Sequence, residues 1–364
     1  MSSGTELFLR LVRLGIGKDN SACNTPNVAD WRQLKDLADA HGLSAVVLDG
    51  IEKVPNLGDS LPLEQKLEWI GEVLQNYEQR YSAYEKAISD LAGFYNQHGI
   101  KMMVIKGYGL SLNYPKPSHR PCGDIDVWLF GQQREADAAL AASSKFQDSG
   151  FKIDTSHHHH TVFEWEGFSV ENHYDFNNVH HHKSSAELEK IFKELGKDDS
   201  YSVEVCGEKV YMPSPNLHTL FLLKHSMTDF AAFYVTLRQV LDWGFHVKKH
   251  HNEIDWEWLK DVMDKYHMTE FFNCINAICV EDLGFNASIF PYIQFNPMLK
   301  EKVLNDILSP EFTRESPKSL IPRLIHKYRR WKGNAWKHEM CYNESMWSAF
   351  WSGVKLHLLK PASI

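Results

Sequence analysis

Apolar residues along the first hundred positions recur at helical spacing. The segment Trp31–Ala38 repeats them every three or four residues, and the pattern stops at Gly42. A longer stretch from Pro62 to His98 carries one apolar stripe and places Glu, Gln and Lys residues on the opposite face. Both patterns predict helices, so we expect a helical N-terminal region over residues 1–98.

The pattern changes at Gly99, where short apolar runs replace the helical stripe. Met102–Ile105 has the length and composition of a buried strand, and the glycines of Lys106–Gly109 predict a turn directly after it. The segment 114–121 cannot be regular, because it contains three prolines. The next segment, Gly123–Leu129, alternates polar and apolar residues and predicts a second strand.

Two pairs of strand-like runs predict β-hairpins in the middle of the chain. The first pair is joined by Glu166-Gly167 and the second turns around Gly207-Glu208. The predicted segments are strands at 158–165, 168–175, 203–205 and 210–212, and helices at 134–146 and 184–195. We therefore expect a small mixed sheet with flanking helices over residues 99–214.

Beyond residue 214 the apolar spacing is helical to the end of the chain. The helices predicted there begin with the segments 217–227, 231–247, 256–266 and 271–280. The fold class expected for the whole chain is therefore α+β. Its three parts are an N-terminal helical region (1–98), a mixed core (99–214) and a C-terminal helical region (215–364).

Composition and charge narrow the classes of function. The 364 residues allow two or three domains with a substantial core. Acidic residues outnumber basic ones by 47 to 39, and the formal charge of −8 argues against a nucleic-acid or membrane partner. No stretch approaches the roughly 18 apolar residues of a spanning helix, and the six cysteines form no Cys-x-x-Cys pair. These features predict a cytoplasmic protein.

The main chemical signal is the pair Asp124 and Asp126. On a strand the two side chains share one face, while Ile125 and Val127 point to the other. Two carboxylates about 4 to 6 Å apart repel by roughly 3 to 4 kcal/mol at an effective dielectric near 20, and a divalent cation with oxygen ligands removes that repulsion. The alternative is that one carboxylate is solvated and the other caps a turn.

The turn before this strand supplies a second signal. Lys106, Gly107 and Tyr108 follow a predicted strand and can offer backbone N–H groups and an ammonium group to a phosphate. Arg120, in the proline-rich segment, can bind a phosphate as a planar fork. The alternatives are a plain strand-to-helix turn and a surface arginine.

These segments together resemble a known family signature. They are Val104–Gly107, Leu110, Tyr114-Pro115, Arg120-Pro121 and Gly123–Asp126. In this order they resemble a bacterial family of uncharacterised nucleotidyltransferases in the DNA polymerase β superfamily. The resemblance implies a polymerase-β-like core and an enzyme that transfers a nucleoside monophosphate from an NTP, such as ATP, with release of pyrophosphate.

The resemblance also implies the cofactor and the catalytic carboxylates. In that superfamily an Asp-x-Asp pair and a third carboxylate from a later strand bind two magnesium ions, so Asp124 and Asp126 are the expected ligands of Mg²⁺ or Mn²⁺. One position departs from the superfamily, which usually has Gly-Ser at the turn where this chain has Gly107-Tyr108. We therefore expect Lys106 or Arg120 to replace the serine's contact with the triphosphate.

Glu171 is the predicted third carboxylate, and therefore a predicted metal ligand and catalytic residue. Strand alternation places Glu171, His173 and Asp175 on one polar face. Asp175 is the rival, but it lies about 13 Å further along the strand, so both cannot serve one metal pair. The resemblance to the family's Glu-x-His pattern favours Glu171, with His173 as its neighbour or as a substrate contact. The alternative is two ordinary solvated side chains.

Two histidine runs, 157–160 and 180–182, suggest a different kind of site. Histidine is the commonest ligand of transition metals, so zinc or nickel is conceivable there. Consecutive side chains on a strand alternate between faces, however, so four in a row are not expected to converge on one ion. The alternatives are partly exposed hairpin residues, or side chains that line the nucleotide or acceptor cleft.

Two further classes of function remain open from the sequence. A glycosyltransferase also uses Asp-x-Asp, with manganese and a nucleotide-sugar, and it would release a nucleoside diphosphate instead of pyrophosphate. A non-enzymatic nucleotide- or partner-binding module with a decayed site would bind ATP without turnover. For the nucleotidyltransferase, the acceptor could be a small molecule, a sugar or a protein hydroxyl.

Overall fold

The computed structural model describes residues 3–18, 31–149, 152–157, 159–179, 182–291, 294–313, 317 and 319–351. The predictions that concern His158, His180 and His181 lie outside this part of the chain. The chain packs into two compact units. The helical unit comprises residues 1–79, 113–121 and 222–343, and the sheet unit comprises 80–112, 122–221 and 344–364. The predicted boundaries at 98/99 and 214/215 mark changes in the sequence pattern. The two units are instead groups of residues that contact one another, and each combines segments from distant parts of the chain.

The sheet lies entirely in the sheet unit. Its strands are β1 (Met103–Val104), β2 (Ile125–Trp128), β3 (His160–Trp165), β4 (Phe168–His173), β5 (Ser202–Val205) and β6 (Glu208–Tyr211). They are ordered β3-β4-β2-β1-β6-β5. β4 pairs with β2, and β1 with β6, in parallel, and the other neighbours are antiparallel. The expected mixed α+β architecture is therefore present.

Helices account for most of the remaining described chain. The α-helices are α1 (Ser3–Gly15), α2 (Trp31–Ala40), α3 (Ser44–Glu52), α4 (Leu63–Glu72), α5 (Arg80–Gln97), α6 (Tyr108–Ser111), α7 (Gln133–Ala142), α8 (Ser144–Ser149), α9 (Lys183–Leu195), α10 (Pro215–Ala232), α11 (Leu237–His250), α12 (Trp256–Lys265), α13 (Thr269–Ala277), α14 (Pro297–Leu308), α15 (Leu320–Gly333) and α16 (Ala335–Cys341). Short π-helical segments lie at Val73–Gln79 and Ile278–Asp282, and 3₁₀ turns at Pro117–His119 and Ala287–Ile289.

Helix α5 covers the apolar face of the sheet. Its residues Tyr84, Ile88 and Leu91 are fully buried in one cluster with strand residues such as Ile125 and Val170. The Tyr95 hydroxyl donates to the Asn172 side chain on this face, so these two buried polar groups are paired. Because one face is sealed in this way, the side chains of the opposite face are the ones available for chemistry.

Several helix boundaries differ from the predicted ones for local reasons. The predicted helix 231–247 is wrong at its start, because α10 runs to Ala232 and α11 begins only at Leu237. Thr236 and Gln239 form a capping box that fixes this start. The 13-residue α9 agrees with the predicted helix 184–195 and begins one residue earlier, at Lys183.

Glu189 of α9 gives the protein an expected pH dependence. Its carboxylate accepts hydrogen bonds from the backbone N–H groups of Phe176 and Asn177, at 2.9 and 3.0 Å. Burial nevertheless raises the pKa of Glu189 from 4.5 to about 7. Between about pH 4.5 and 7, the folded chain therefore keeps a proton on Glu189 that the unfolded chain has lost. The stability that the protonated Glu189 contributes is complete below about pH 4.5 and is lost as the pH rises through about 7.

We expect Glu189→Gln to remove this loss of stability. Gln stays neutral at every pH. The difference in free energy of unfolding between variant and parent should therefore change in favour of the variant by up to about 3 kcal/mol between pH 4.5 and 8. Urea denaturation at several pH values measures the difference. Parallel stability curves for the two proteins would contradict the assignment.

Among the described residues, no helix is both long enough and apolar enough to cross a bilayer.

Candidate active site

The strand register brings two of the predicted carboxylates together. Asp126 on β2 and Glu171 on β4 are direct partners across the parallel pair, so their side chains leave the sheet on the same face. His173 lies two residues beyond Glu171 and shares that face. Asp126, Glu171 and His173 each offer one ligand atom, and these atoms lie within 4.8 Å of one another. Because these ligand atoms are so close, Asp126 and Glu171 could both bind the same pair of metal ions, which lie 3.5 to 4 Å apart in two-metal sites.

Two cationic side chains contact these carboxylates. Lys106 Nζ lies 3.0 Å from Asp126 Oδ1, and His173 Nε2 lies 3.1 Å from the same oxygen. His173 Nε2 also lies 3.2 Å from Glu171 Oε2. Asp126 and His173 are buried, while Lys106 retains 23% of its side-chain exposure. The site is thus a cluster in which each negative group has a positive neighbour.

The ionisation of the cluster follows from these contacts. Burial alone would lower the pKa of His173, but its hydrogen bonds to Asp126 and Glu171 outweigh burial and raise that pKa to about 9. For Asp126 burial acts to raise the pKa, and the charges of Lys106 and His173 overcome it and hold that pKa well below its usual range. We therefore expect Asp126 to be ionised and His173 protonated at neutral pH.

Asp124 completes the polar group from a half-buried position just before β2. Burial, followed by the neighbouring charge of Asp126, raises the pKa of Asp124 above its ordinary value. A cation bound nearby would favour the ionised form of Asp124, because it would offset the repulsion from Asp126 and Glu171.

The glycine turn has a steric reason to contain glycine. Gly107 has φ 63° and ψ −100°, a conformation that side chains with a Cβ avoid. A Cβ at Gly107 would also lie 2.5 Å from the Tyr84 hydroxyl, which donates to the carbonyl oxygen of Asp124 at 2.8 Å. The turn therefore packs tightly against the start of β2 and holds Lys106 beside Asp126.

The Tyr108 side chain belongs to the core of the sheet unit. It is only 5% exposed, its ring stacks on Tyr81, and its hydroxyl donates to Glu85 at 3.0 Å. Any contact of Tyr108 with a nucleotide would consequently use its backbone, and its role in nucleotide binding stays a prediction.

Arg120 is buried in the helical unit, where it has a carboxylate partner. Its Nε and Nη2 atoms donate to the two oxygens of Asp242 at 2.8 and 3.0 Å, and the Tyr114 hydroxyl donates to the same carboxylate. Both charged side chains are about 95% buried. The fork geometry expected of Arg120 is present, but it is used on Asp242, and its contact with a phosphate stays a prediction.

Asp175, the rival third carboxylate, lies beyond the end of β4. It forms an ion pair with Lys193 of α9, and its backbone N–H donates to the His159 carbonyl oxygen. Asp175 therefore has a partner of its own, whereas Glu171 is a direct neighbour of Asp126.

Two residues of the first histidine run also reach this face. His160 is the direct cross-strand partner of His173, and His160 Nδ1 lies 3.6 Å from Glu171 Oε2. His159 and His160 together with His173 offer ring nitrogens within 4.8 Å of one another. Burial lowers the pKa of His159 to about 3 and that of His160 to about 4. The sequence analysis left a place in the nucleotide or acceptor cleft as one of the alternatives for the run 157–160, without singling out these two residues.

The carboxylate cluster fits a divalent cation with oxygen ligands. Oδ2 of Asp126 is buried and has no hydrogen-bond partner in the described part of the chain. A buried carboxylate oxygen without a donor is costly, and a cation would satisfy it. Asp124, Asp126 and Glu171 supply the oxygen donors that Mg²⁺ and Mn²⁺ prefer, and a bound cation would replace positive charge now supplied by Lys106 and His173.

Comparison with known proteins identifies the family. A family described as uncharacterised nucleotidyltransferase matches residues 27–284, which include the whole sheet and the cluster around Asp126. The chain therefore belongs to this family, and membership indicates an activity of the transferase class. No curated protein and no solved structure matches the chain.

Proposed function

We propose that this family member is a Mg²⁺- or Mn²⁺-dependent nucleotidyltransferase that moves a nucleoside monophosphate from an NTP to an acceptor and releases pyrophosphate. The observation that carries the proposal is the juxtaposition of Asp126 and Glu171 across β2 and β4, with an Asp126 oxygen buried and unpaired in the described chain. Family membership supports the same reaction class.

In this reaction the carboxylates would bind the metal ions. Asp124, Asp126 and Glu171 would be the ligands, and the bound ions would activate the acceptor hydroxyl and neutralise charge on the leaving pyrophosphate. The chain itself supplies the rigid frame, because Asp126 and Glu171 stand on paired strands whose other face is sealed by α5.

Lys106 and His173 supply the positive charge in this scheme. Lys106 is partly exposed and follows the glycine turn, so it can turn from Asp126 to a triphosphate oxygen once a cation neutralises the carboxylates. His173 is held between Asp126 and Glu171 and orients both carboxylates. Mutual hydrogen bonding of this kind fixes ligand geometry before a metal arrives.

The products distinguish this function from a glycosyltransferase. We would incubate the full chain with Mg²⁺ and each of the four NTPs labelled at the α-phosphate, with pools of small-molecule, sugar and protein acceptors. Label on an acceptor with release of pyrophosphate supports the proposal. A parallel incubation replaces the NTPs with nucleotide-sugars and Mn²⁺. Release of a nucleoside diphosphate there, without any pyrophosphate from the NTPs, would refute the proposal.

NTP binding should depend on the divalent cation. Without it, Asp124, Asp126 and Glu171 face the triphosphate as like charges, so we expect the affinity for ATP to fall at least tenfold in EDTA. Titration calorimetry with a non-hydrolysable analogue, in Mg²⁺ and in EDTA, measures the change. Equal affinity under both conditions would contradict the metal-bridged arrangement.

A further inference from the structure

A second set of ligand atoms lies beside the carboxylates. His160 begins β3 opposite His173, and His159 immediately precedes the strand. The ring centroids are 4.2 Å apart for His159 and His160, and 5.2 Å apart for His160 and His173. The register thus brings together three imidazoles from both strands of one hairpin.

Two of these imidazoles carry buried nitrogens without partners. The Nδ1 atoms of His159 and His160 are buried and have no hydrogen-bond partner among the residues that the structure describes. His160 is only 7% exposed, and the nearest acidic oxygen, on Glu171, is 3.6 Å away. Leaving a buried polar atom unpaired costs about 1–3 kcal/mol, so this arrangement calls for an additional group.

We propose that His159, His160 and His173 form a binding site for a transition-metal ion of the Zn²⁺ class, with Glu171, which lies 3.6 Å from His160 and 3.2 Å from His173, as an oxygen ligand. His173 is protonated in the metal-free chain, so the ion would displace its proton into solvent on binding. Imidazole nitrogen suits zinc, cobalt, nickel and copper, whereas magnesium takes oxygen ligands. Two nitrogens bound to one tetrahedral zinc at 2.0–2.1 Å lie about 3.4 Å apart. The present separations of up to 4.8 Å need to shorten by little more than 1 Å.

The site overlaps the candidate active site through His173 and Glu171. Both residues also neighbour Asp126, so an ion bound by the three histidines would draw them away from the carboxylate cluster. The proposed site would therefore compete with a magnesium ion for these ligands. Metal binding by the three histidines, however, does not rest on the proposed function.

The rival explanation is chelation by the histidine run itself. Residues 157–160 could bind a metal in any flexible conformation, including the unfolded chain. His173 separates the two explanations, because it is far from the run in sequence and joins the cluster only through the β3–β4 pairing. His157 is the matched control, since it belongs to the run, stacks on His160 and lies outside the three-histidine group.

The experiment uses the full chain freed of metal with EDTA, in the absence of nucleotide. Co²⁺ is titrated and read by its visible absorption, and Zn²⁺ affinity is measured by competition with a colorimetric chelator. We expect one equivalent of Co²⁺ with the intense absorption of a tetrahedral ion. His160→Gln and His173→Gln should each weaken Zn²⁺ binding at least tenfold, and His157→Gln less than twofold.

The results distinguish a site that requires the folded hairpin from chelation by the run 157–160 alone. Circular dichroism first verifies that each variant is folded, and His160→Gln carries the test if His173→Gln is not. Unchanged affinity in the folded His173→Gln or His160→Gln variant, or equal affinity of the native and the urea-unfolded chain, overturns the proposal. Because nucleotide is absent, failure of nucleotidyl transfer would leave this result unaffected.

Discussion

Replacing Asp126 with Asn is expected to lower nucleotidyl transfer by roughly a thousandfold or more, about 4 kcal/mol of transition-state stabilisation. Asn keeps the shape of the side chain but removes the charge that would hold metal, and the paired ligand Glu171 cannot replace it. Initial rates of pyrophosphate release under saturating NTP and Mg²⁺ measure the change.

The fold of this variant should survive. Lys106 stays close to the charges of Asp124 and Glu171, and His173 keeps its hydrogen bond to Glu171. The matched control is Asp175→Asn, which removes a carboxylate just beyond β4, the strand that carries Glu171, and should keep the rate within about twofold. Full activity of Asp126→Asn, or loss of activity in Asp175→Asn alone, would contradict the assignment of the carboxylates.

Removal of Asp242 is expected to have the largest effect on stability. Asp242→Ala leaves the buried Arg120 guanidinium without its carboxylate and the Tyr114 hydroxyl without its acceptor. Breaking such a buried pair costs about 3–5 kcal/mol, mainly because one charge stays buried and uncompensated. Equilibrium urea denaturation gives the change in the free energy of unfolding.

Two controls show whether the cost comes from the orphaned charge. The double variant Arg120→Met/Asp242→Leu should recover most of the loss, because it removes both charges and keeps apolar volume. Glu194→Ala removes an exposed carboxylate that pairs with the exposed Lys197 and should change stability by less than about 0.5 kcal/mol. A loss below about 1 kcal/mol in Asp242→Ala would contradict the argument. Loss of NTP binding in a stable double variant would support the predicted phosphate contact of Arg120.

The sequence could predict the part of the site that depends on the alternation of side chains along a strand and on the hairpin turn at Glu166-Gly167. Glu166 and Gly167 both have positive φ, 49° and 80°, as a two-residue hairpin turn requires. Strand alternation on either side placed Glu171 and His173 on one face, and the structure has them there. These features are local, so they can be deduced without knowledge of the remaining chain.

The same turn also held information that the sequence analysis did not use. A two-residue loop at Glu166-Gly167 fixes the register of the hairpin, and counting back from it pairs His160 with His173. Alternation along one strand argued that the run 157–160 could not converge on one ion. The convergence instead involves the neighbouring strand, which a single-strand argument leaves out.

Long-range pairs were beyond sequence reasoning for a different reason. Arg120 and Asp242 are 122 positions apart, and no periodicity or spacing relates them. Their contact results from packing within the helical unit, and only the pattern around Arg120 was visible in the sequence. An arginine that a local motif assigns to a phosphate can thus have a buried carboxylate as its partner.

The strand order described above has a consequence for synthesis of the chain on the ribosome. β1 is only two residues long and lies between β2 and β6, so its parallel partner is translated about a hundred residues after it. Helix α5 is translated before β1. Until β6 is made, the apolar side of α5 lacks part of the sheet that it packs against in the folded chain. Long-range pairing of this kind slows folding and prolongs exposure of apolar surface. Nascent chains that end before Tyr211 therefore expose apolar residues of α5 that the β5–β6 hairpin covers in the folded chain.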